Sequence, residues 1–469
     1  MKSRVLLSVF SCLIGISLCA GLAHAAPSVK ISDRKDRITI DEAVTDEILA
    51  EIKKGVGEAK NLVFVLQKIG SNADLAKICE AFPDMKELSI DGPKELTSIA
   101  PVANLKGLTR FYLSGGTVAD FSPLRDLTTL TSLDIRGNTV QNGMMAPDLK
   151  WMSKLTNLTR LEIGTPSDRG APRPLVSFEG IPSAQRLTAA KFSGGAPADL
   201  TPLQALSKLT SLDLTNIILP DLTPLTKLTE LKELSLYGSE VKDFSPLAAL
   251  PKLQKLTYYA VGTFTDIQPD WNTLGKLTQV QELKGGLTKL ADISWVVNLQ
   301  NLKKFDVFSE SVMDYTPLAK TKVEDFTIWK MKTSTDLKQL SGAASLKRLK
   351  LWSVKNASGF EGLASLINLE ALTLQGMNAK DGTPVNMAFA KSLANLKELE
   401  LNDSEISNFD AVASCAKLEK VAIDKKTTGI ASLAVLKKLP NLRQVTVGKG
   451  MFPDTELAGF NEKVKISQR

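Results

Sequence analysis

The sequence predicts an α/β solenoid, and three observations support that fold class. An apolar frame of the form L-x-x-L-x-x-L-x-L runs from Leu127 to Ile135 and returns along the chain. Its third apolar position recurs about every 24 residues, within the roughly 20–29-residue period of leucine-rich repeats. Several segments between the frames share the form D-Φ-[ST]-P-L. Together these features predict a leucine-rich repeat horseshoe with a parallel concave β-sheet, short helical or irregular convex segments and about 16 repeats.

Each frame contains one predicted strand. Alternate residues of L-x-L point to the same side, so its two apolar residues are buried together. One repeat cannot bury its apolar side alone, and neighbouring repeats are therefore expected to stack around a continuous core. The third apolar positions, which mark the strands, are Leu88, Phe111, Leu133, Leu161, Leu187, Leu212, Leu234, Leu256, Leu283, Phe305, Phe326, Leu349, Leu372, Leu399, Val421 and Val445.

The segments between strands are predicted to return along the convex side. The full D-Φ-[ST]-P-L form occurs at residues 120–124, 221–225, 243–247 and 314–318. Proline after Ser or Thr suits the first position of a helical turn, where no backbone N–H is required. With the leucine frame, this motif resembles the repeats of internalin-like secreted bacterial proteins, L-x-x-L-x-x-L-x-L-x-x-N-x-I-x-D-I-x-P-L, over about residues 85–450.

The resemblance implies a binding protein that holds its partner on the concave face. One feature of the family pattern is weak in this chain, namely the asparagine after each strand that bonds neighbouring turns. It is clear only at Asn138, and Gly116, Ser239 and Ser404 occupy equivalent places.

The two ends of the chain differ from the repeats. Residues 1–25 are predicted to be a signal peptide, because Lys2 and Arg4 precede an uncharged apolar stretch and Ala23-His24-Ala25 has the form of a cleavage site. We expect residues 26–84 to form an N-terminal cap, residues 85–448 the repeats and residues 449–469 a C-terminal cap. Within the first cap, residues 41–54 and 74–82 are predicted to be helices and residues 61–66 the first strand.

The apolar stretch also allows a second interpretation, an uncleaved membrane anchor, because about 18 apolar residues nearly span a bilayer. Ser8, Ser11 and Gly15 weaken that alternative. Cleavage near Ala25 would make the protein secreted or periplasmic, and no later segment is apolar enough to form an integral membrane span.

Composition excludes several classes of function. Of the 469 residues, 43% are hydrophobic and 23% are charged, which excludes a disordered chain. The one histidine and two of the four cysteines lie in residues 1–25, so only Cys79 and Cys415 would remain after cleavage. We therefore expect no Ser-His-Asp or Cys-His enzyme, no zinc site, no cofactor and no disulfide framework. The net charge of +7 arises from mixed charges without a dense basic run, which argues against nucleic acid as a partner.

One column of predicted strand positions is rich in aromatic residues. The residue after each L-x-L core should face solvent on the concave side. Over six consecutive repeats this position holds Tyr237, Tyr259, Gly286, Phe308, Trp329 and Trp352, in a chain that is only 6% aromatic. Because aromatic residues dominate binding hot spots, we expect these five, here called the aromatic column, to be exposed in line and to bind the partner. The alternative is that they only stiffen the sheet, and Gly286 is expected to leave a notch.

The position before each marker alternates in charge over the same six repeats. It holds Glu233, Lys255, Glu282, Lys304, Asp325 and Arg348, here called the strand charge ladder. Opposite charges on adjacent strands attract, which favours a structural role for the ladder. It also favours a ligand that is neutral overall, or a protein surface, over a polyanion. In the middle column, Asp134 and Glu162 are a candidate pair of catalytic carboxylates, with ordinary solvated surface as the favoured alternative.

Two main classes of function remain open, and a third is a further possibility. The first is a secreted or periplasmic protein that binds a protein, peptide or envelope component on its concave face. The second is a glycan-binding or, with less support, carbohydrate-active envelope protein. The third is a purely structural envelope component.

Overall fold

The computed structural model describes residues 29–67, 71–93, 95–137, 149–164, 177–195, 199–219, 221–259, 269–287, 290–309, 312, 314–329, 335–354, 356–377 and 382–469. The expected signal peptide, residues 1–25, and Asn138 lie outside these ranges.

Short strands recur along the described chain, and those of the repeats are mostly five residues long. In chain order they are β1 Val29–Ile31, β2 Arg37–Ile40, β3 Val63–Gln67, β4 Glu87–Asp91, β5 Arg110–Ser114, β6 Ser132–Arg136, β7 Arg160–Gly164, β8 Ala189–Gly195, β9 Ser211–Ile217, β10 Glu233–Tyr237, β11 Lys255–Tyr259, β12 Glu282–Gly286, β13 Lys304–Phe308, β14 Asp325–Trp329, β15 Arg348–Trp352, β16 Ala371–Gln375, β17 Val385–Asn386, β18 Glu398–Asn402, β19 Ile406–Ser407, β20 Lys420–Ile423, β21 Gln444–Val447 and β22 Lys465–Gln468.

Twenty of these strands form one sheet within the described part of the chain. β1 and β2 are antiparallel, and from β2 onward each strand of this sheet pairs in parallel with the next. The pairing keeps one register, so that Leu234 lies opposite Leu256 and Leu256 lies opposite Leu283. β17 and β19 form a separate two-stranded sheet. The predicted leucine-rich repeat solenoid with a parallel sheet is confirmed.

The return segments contain short 3₁₀ helices rather than α-helices. They are Ala100–Asn104, Ser122–Leu124, Lys150–Met152, Ile181–Ser183, Thr201–Ala205, Thr223–Lys227, Ser245–Ala249, Trp271–Lys276, Ser294–Asn298, Thr316–Lys320, Leu337–Leu340, Phe360–Ser365, Met387–Ser392, Phe409–Ser414 and Leu436–Lys438.

The D-Φ-[ST]-P-L motif is explained by how these 3₁₀ helices begin. In the segment that starts at Asp243, Oδ1 of that aspartate accepts a hydrogen bond from Ser245 N at 2.7 Å. Phe244 is buried in the core, and the proline that follows Ser245 stands where no backbone donor is required. Asp221 and Asp314 accept equivalent bonds at 2.8 Å from the Thr two residues later. In this motif the aspartate therefore caps the 3₁₀ helix, the apolar residue packs in the core, and the proline occupies the first turn of the helix.

The core lies between the sheet and the 3₁₀ helices and forms one continuous cluster. In most of the repeat strands both apolar positions are buried, as Leu234 and Leu236 are in β10. One predicted marker is wrong, because Ala190 and not Leu187 lies opposite Leu161 in the sheet. Leu187 is also buried, but it precedes the strand and occupies the preceding apolar position of the frame. The register was misassigned because the buried strand position holds the small residue Ala190, where the other repeats have a large apolar residue.

The N-terminal cap contains two helices near the predicted places. α1 spans Asp46–Val56 and buries Ile48, Ile52 and Val56, and α2 spans Asn72–Ala81. The strand predicted over residues 61–66 is present as β3, Val63–Gln67, but the prediction that it is the first strand is wrong. β3 is preceded by the antiparallel β1–β2 hairpin, whose short strands carry no leucine frame to reveal them.

The C-terminal residues close the sheet with one more strand. A short helix, α3, spans Asp454–Leu457, and β22 pairs in parallel with β21. The domain boundaries at residues 26, 85 and 449 remain predictions.

Serine side chains bond neighbouring turns at the places where the family pattern has asparagine. Ser239 Oγ is buried, donates to Leu214 O at 2.5 Å and accepts from Ile217 N at 3.2 Å, both in the preceding repeat. Ser404 Oγ accepts from Met377 N at 3.1 Å in the same way. At Ser239 and Ser404, a serine in place of asparagine therefore still bonds neighbouring repeats.

Candidate partner-binding surface

The aromatic column lies in register on the solvent face of the sheet. Tyr237 pairs with Tyr259 across β10 and β11, and Trp329 pairs with Trp352 across β14 and β15. Gly286 and Phe308 continue the same row between them. Because the neighbouring strand residues Leu236 and Leu351 are buried, alternation places these side chains on the opposite side of the sheet. The order predicted along the row is therefore present in the sheet.

The chain turns immediately after this column. Gly238 follows Tyr237 with φ of 68° and donates its N–H to Tyr259 O at 2.7 Å. Ser353 follows Trp352 with φ of 54° and donates to Gln375 O at 2.6 Å. At β10 and β15 this left-handed residue ends the strand, and its N–H adds one more hydrogen bond to the next strand. The aromatic column consequently lies along the carboxyl-terminal edge of the strands.

The prediction that all five rings are exposed is only partly right. Tyr237 is exposed, with 41% of its surface accessible, whereas the other four are half-buried. For Tyr259, Trp329 and Trp352, a neighbouring ring covers part of the side chain. The ring centroids are 5.1 Å apart in the Tyr237–Tyr259 pair and 4.2 Å apart in the Trp329–Trp352 pair. Burial is also the main cause that raises the pKa of Tyr259 to about 12.

The expected notch at Gly286 is absent. A Cβ placed on Gly286 would lie 2.6 Å from Cδ1 of Tyr259 and 3.5 Å from Cδ1 of Phe308. The Tyr259 ring therefore occupies the space that the missing side chain leaves. Gly286 thus lets the Tyr259 ring lie over its backbone. The sequence does not predict this, because it does not specify the orientation of the ring.

Polar groups hold the tryptophan pair. Trp329 Nε1 donates a hydrogen bond to Oδ1 of Asp306, which is buried in the middle column of β13. Lys284 Nζ lies 3.9 Å from the other carboxylate oxygen. Burial, the largest cause, raises the pKa of Asp306, while the bond from Trp329 opposes this shift. Lys350 Nζ lies 4.7 Å from the Trp352 ring centroid, a cation–π contact. The roles of Asp306 and Lys350 depend on side-chain orientation, which the repeat pattern does not specify.

The strand charge ladder is in the predicted register. Glu233 lies opposite Lys255, Lys255 opposite Glu282, and the alternation continues to Arg348. Its closest ion pair joins Arg348 and Asp325, with a nitrogen–oxygen distance of 3.1 Å, and Lys304 lies 3.9 Å from the same carboxylate.

A second row of alternating charges, which the sequence analysis missed, runs beside the first. This row lies one residue earlier in each repeat than the strand charge ladder. It includes Glu324, whose two carboxylate oxygens form ion pairs with Lys303 Nζ and Lys347 Nζ at 2.9 Å each. Lys397 pairs with Glu370 at 2.8 Å further along. These charges precede the strands, so the alternation of residues within the strands gives no sign of this row.

The candidate catalytic carboxylates belong to an ion-pair cluster. Arg136 Nε lies 2.7 Å from Oδ1 of Asp134 and 3.4 Å from Oε1 of Glu162. Lys191 Nζ lies 3.2 Å from the same Glu162 oxygen. Burial, the largest cause, raises the pKa of Asp134, and the bond from Arg136 opposes it. Each carboxylate thus has a cationic partner, which favours the surface interpretation over catalysis.

The described residues contain no group of three or more His, Cys, Asp or Glu that could hold a metal ion. Cys79 and Cys415 are free and buried, and burial raises their thiol pKa values to about 12 and about 11. Within the same described ranges, no helix is long and apolar enough to cross a membrane.

The strand register and the repeat define the chain as a leucine-rich repeat solenoid. No protein-family profile and no curated protein sequence matches the chain.

Solved structures do match, and the resemblance predicted from the repeats is confirmed among them. An internalin from Listeria monocytogenes is 23% identical, covers 81% of this chain and 88% of its own, and has a TM-score of 0.44. A leucine-rich repeat protein from Leptospira interrogans is 16% identical, with 91% and 92% covered and a TM-score of 0.44. A plant peptide hormone receptor in complex with RGF2 is 12% identical, with 94% and 99% covered and a TM-score of 0.35.

Proposed function

We propose that the protein acts outside the cytoplasm and binds a protein, peptide or glycan on the solvent face of its sheet, through the aromatic column Tyr237, Tyr259, Phe308, Trp329 and Trp352. The observation that carries the proposal is the in-register row of rings on one side of the sheet, with the tilted Tyr237–Tyr259 pair at one end and the stacked Trp329–Trp352 pair at the other. Rings held in place before binding lose little conformational freedom when a partner arrives, which favours affinity.

The bounded extent of the row supports a binding role. The same column position holds Thr215 in β9 and Gln375 in β16, so the aromatic residues stop on both sides. Sheet stiffening alone would not require the rings to be confined to six adjacent strands. The extracytoplasmic location is supported by the signal-like residues 1–25, with cleavage expected near Ala25.

A comparison of matched variants tests this proposal. Residues 26–469 of the wild type and of the Trp329→Ala/Trp352→Ala variant would be immobilised and exposed to envelope and host-cell extracts. A component captured by the wild type would then be titrated against both proteins. The double variant should bind it more weakly by about 2 kcal/mol or more, as hot-spot truncations do.

Ile367→Ala is the control, because Ile367 is a large apolar residue with 55% of its surface exposed and lies outside the column. It should bind like the wild type. If the tryptophan variant binds with wild-type affinity and only its melting temperature falls, the column is structural and the proposed site is wrong.

A further inference from the structure

We infer that Asp306 positions Trp329 and Trp352 as a rigid anchor whose ring edges face solvent, and that the partner at this anchor is a protein segment presenting an aromatic side chain. The inference rests on the proposed function, because it names the partner class for the same surface. It adds a positioning residue that does not belong to the aromatic column.

Asp306 is suited to fix one indole. Only 6% of its surface is accessible, and a carboxylate buried to that extent requires compensating partners. It has the Trp329 indole N–H on one side and the Lys284 ammonium at 3.9 Å on the other. The hydrogen bond spans from β14 to β13, so it draws the Trp329 ring across the sheet towards the middle column. A ring held by a hydrogen bond at its edge has few alternative rotamers.

The second indole is fixed by the first. The two ring planes differ by 20° and their centroids are 4.2 Å apart. Nearly parallel rings reach that separation only with their faces opposed. Because the distance is close to the ~4.8 Å spacing between neighbouring strands, the indoles stand side by side along the sheet and direct their edges to solvent.

The outer faces of the pair look along the row, towards the strand of Phe308 on one side and that of Gln375 on the other. Lys350 Nζ lies 4.7 Å from the Trp352 centroid and 5.9 Å from the Trp329 centroid, which places the ammonium beside the pair. Because the two inner faces cover each other, a group that approaches from solvent meets ring edges first.

Edge presentation favours a protein over a glycan. The edge of an aromatic ring is electropositive, and it attracts the electron-rich face of another aromatic ring or a carbonyl oxygen. A sugar ring instead packs its C–H groups on an open aromatic face and satisfies its hydroxyls with free polar groups. Here one face of each indole covers the other, and the Trp329 N–H is already bonded to Asp306. An aromatic side chain of a protein segment can place its electron-rich face against these exposed ring edges.

The positioning role can be measured without any ligand. Two stacked indoles should give a coupled near-ultraviolet circular dichroism signal that Trp352→Phe abolishes. Asp306→Leu should reduce this signal at least twofold, and Asp306→Asn, which keeps an acceptor oxygen, should retain most of it. In the wild type, the Trp329 indole N–H, assigned by its loss in Trp329→Phe, should exchange slowly with deuterium.

Two results would overturn the positioning role. One is a full coupled signal in a folded Asp306→Leu variant. The other is exchange of the wild-type Trp329 N–H as fast as that of free indole, which would decide the question even if the leucine variant did not fold.

The partner class is tested with defined probes. A random peptide library displayed on phage and a glycan array would each be applied to residues 26–469, with Trp329→Ala/Trp352→Ala as the counter-selection. We expect enriched peptides to contain an aromatic residue, and the double variant to bind them at least tenfold more weakly. Asp306→Leu should weaken the same peptides about fivefold, and Asp306→Asn less.

The outcomes separate the inference from the proposed function. Glycan binding that depends on both tryptophans would overturn the protein-partner inference and leave the proposed surface intact. Peptide binding that is equal in the wild type and the double variant would overturn the proposed surface itself. Failure of the library to yield any peptide that discriminates the two proteins would overturn the protein-partner inference.

Discussion

At the scale of single residues, the candidate surface depends on the residues that position the aromatic rings as well as on the rings themselves. Gly286 lets the Tyr259 ring lie over it, and Asp306 holds the Trp329 indole. Gly238 ends its strand in a left-handed conformation that directs the backbone away just after Tyr237. The aromatic column is therefore arranged by small and acidic neighbours.

Gly238→Ala should destabilise the protein by about 2 kcal/mol, measured by chemical denaturation. Two costs combine, since φ is 68° and the new Cβ would lie 1.9 Å from Asn216 Oδ1. Gly382→Ala is the matched control, because Gly382 has φ of 74° with no atom within 4 Å of the added carbon. The control should cost about 1 kcal/mol or less. Equal effects of the two substitutions would show that the contact with Asn216 contributes nothing.

At the scale of elements, the repeat that begins with β10 shows three devices that recur in several other repeats. β10 buries alternate apolar residues, the left-handed Gly238 ends the strand, and Asp243 begins the following 3₁₀ helix. Neighbouring repeats are joined by parallel backbone bonds, by buried serines such as Ser239 and by two alternating rows of charge. Surface ion pairs are individually weak, so register depends mainly on the buried strand residues.

The second charge row predicts a specific pH dependence. Hydrogen bonds from Lys347 and Lys303 lower the pKa of Glu324 to about 2 from an ordinary 4.5. A depressed carboxylate pKa stabilises the fold above about pH 4.5, and this contribution is lost as the pH falls through about 2. Glu324→Gln should thus be less stable than the wild type at pH 6 by up to about 1 kcal/mol. The difference in unfolding free energy should shrink between these pH values, and a difference that does not vary with pH would contradict the assignment.

Sequence reasoning found most of the fold and the order of the candidate surface, for a physical reason. Burial of alternate residues fixes which side of a strand a residue occupies, so Tyr237 to Trp352 could be aligned from residue numbers alone. It failed where that signal was absent: at Ala190, which is too small to mark a strand, and at the β1–β2 hairpin, which has no repeat. Ring stacking and the Asp306 contact depend on side-chain rotamers, which periodicity does not specify.

At the scale of the whole molecule, one uninterrupted stack of strands runs from β2 to β22. The core is continuous along this stack, as expected when every repeat completes the apolar surface of its neighbours. The proposed surface occupies six adjacent strands of this sheet, which gives an extended site about 24 Å long at ~4.8 Å per strand.

The proposed location makes a separate prediction about the mature chain. Expression in a bacterium that secretes the protein should yield an N-terminus at or near Ala26, identified by mass spectrometry of the purified protein. An N-terminus at Met1, or a lipid on Cys19, would contradict cleavage at the predicted site. This result would leave the binding surface untouched, because residues 1–25 are outside it.

Oxidative footprinting of the tryptophans tests the central claim most directly. Hydroxyl-radical oxidation of Trp329 and Trp352 would be measured with and without the captured partner. Trp271, also half-buried but packed against Phe244 and Tyr258 on the 3₁₀ side, provides an internal reference. We predict that the partner lowers oxidation of both column tryptophans severalfold and leaves Trp271 unchanged. Protection of Trp271, with Trp329 and Trp352 as reactive as in the free protein, would contradict binding on the solvent face of the sheet.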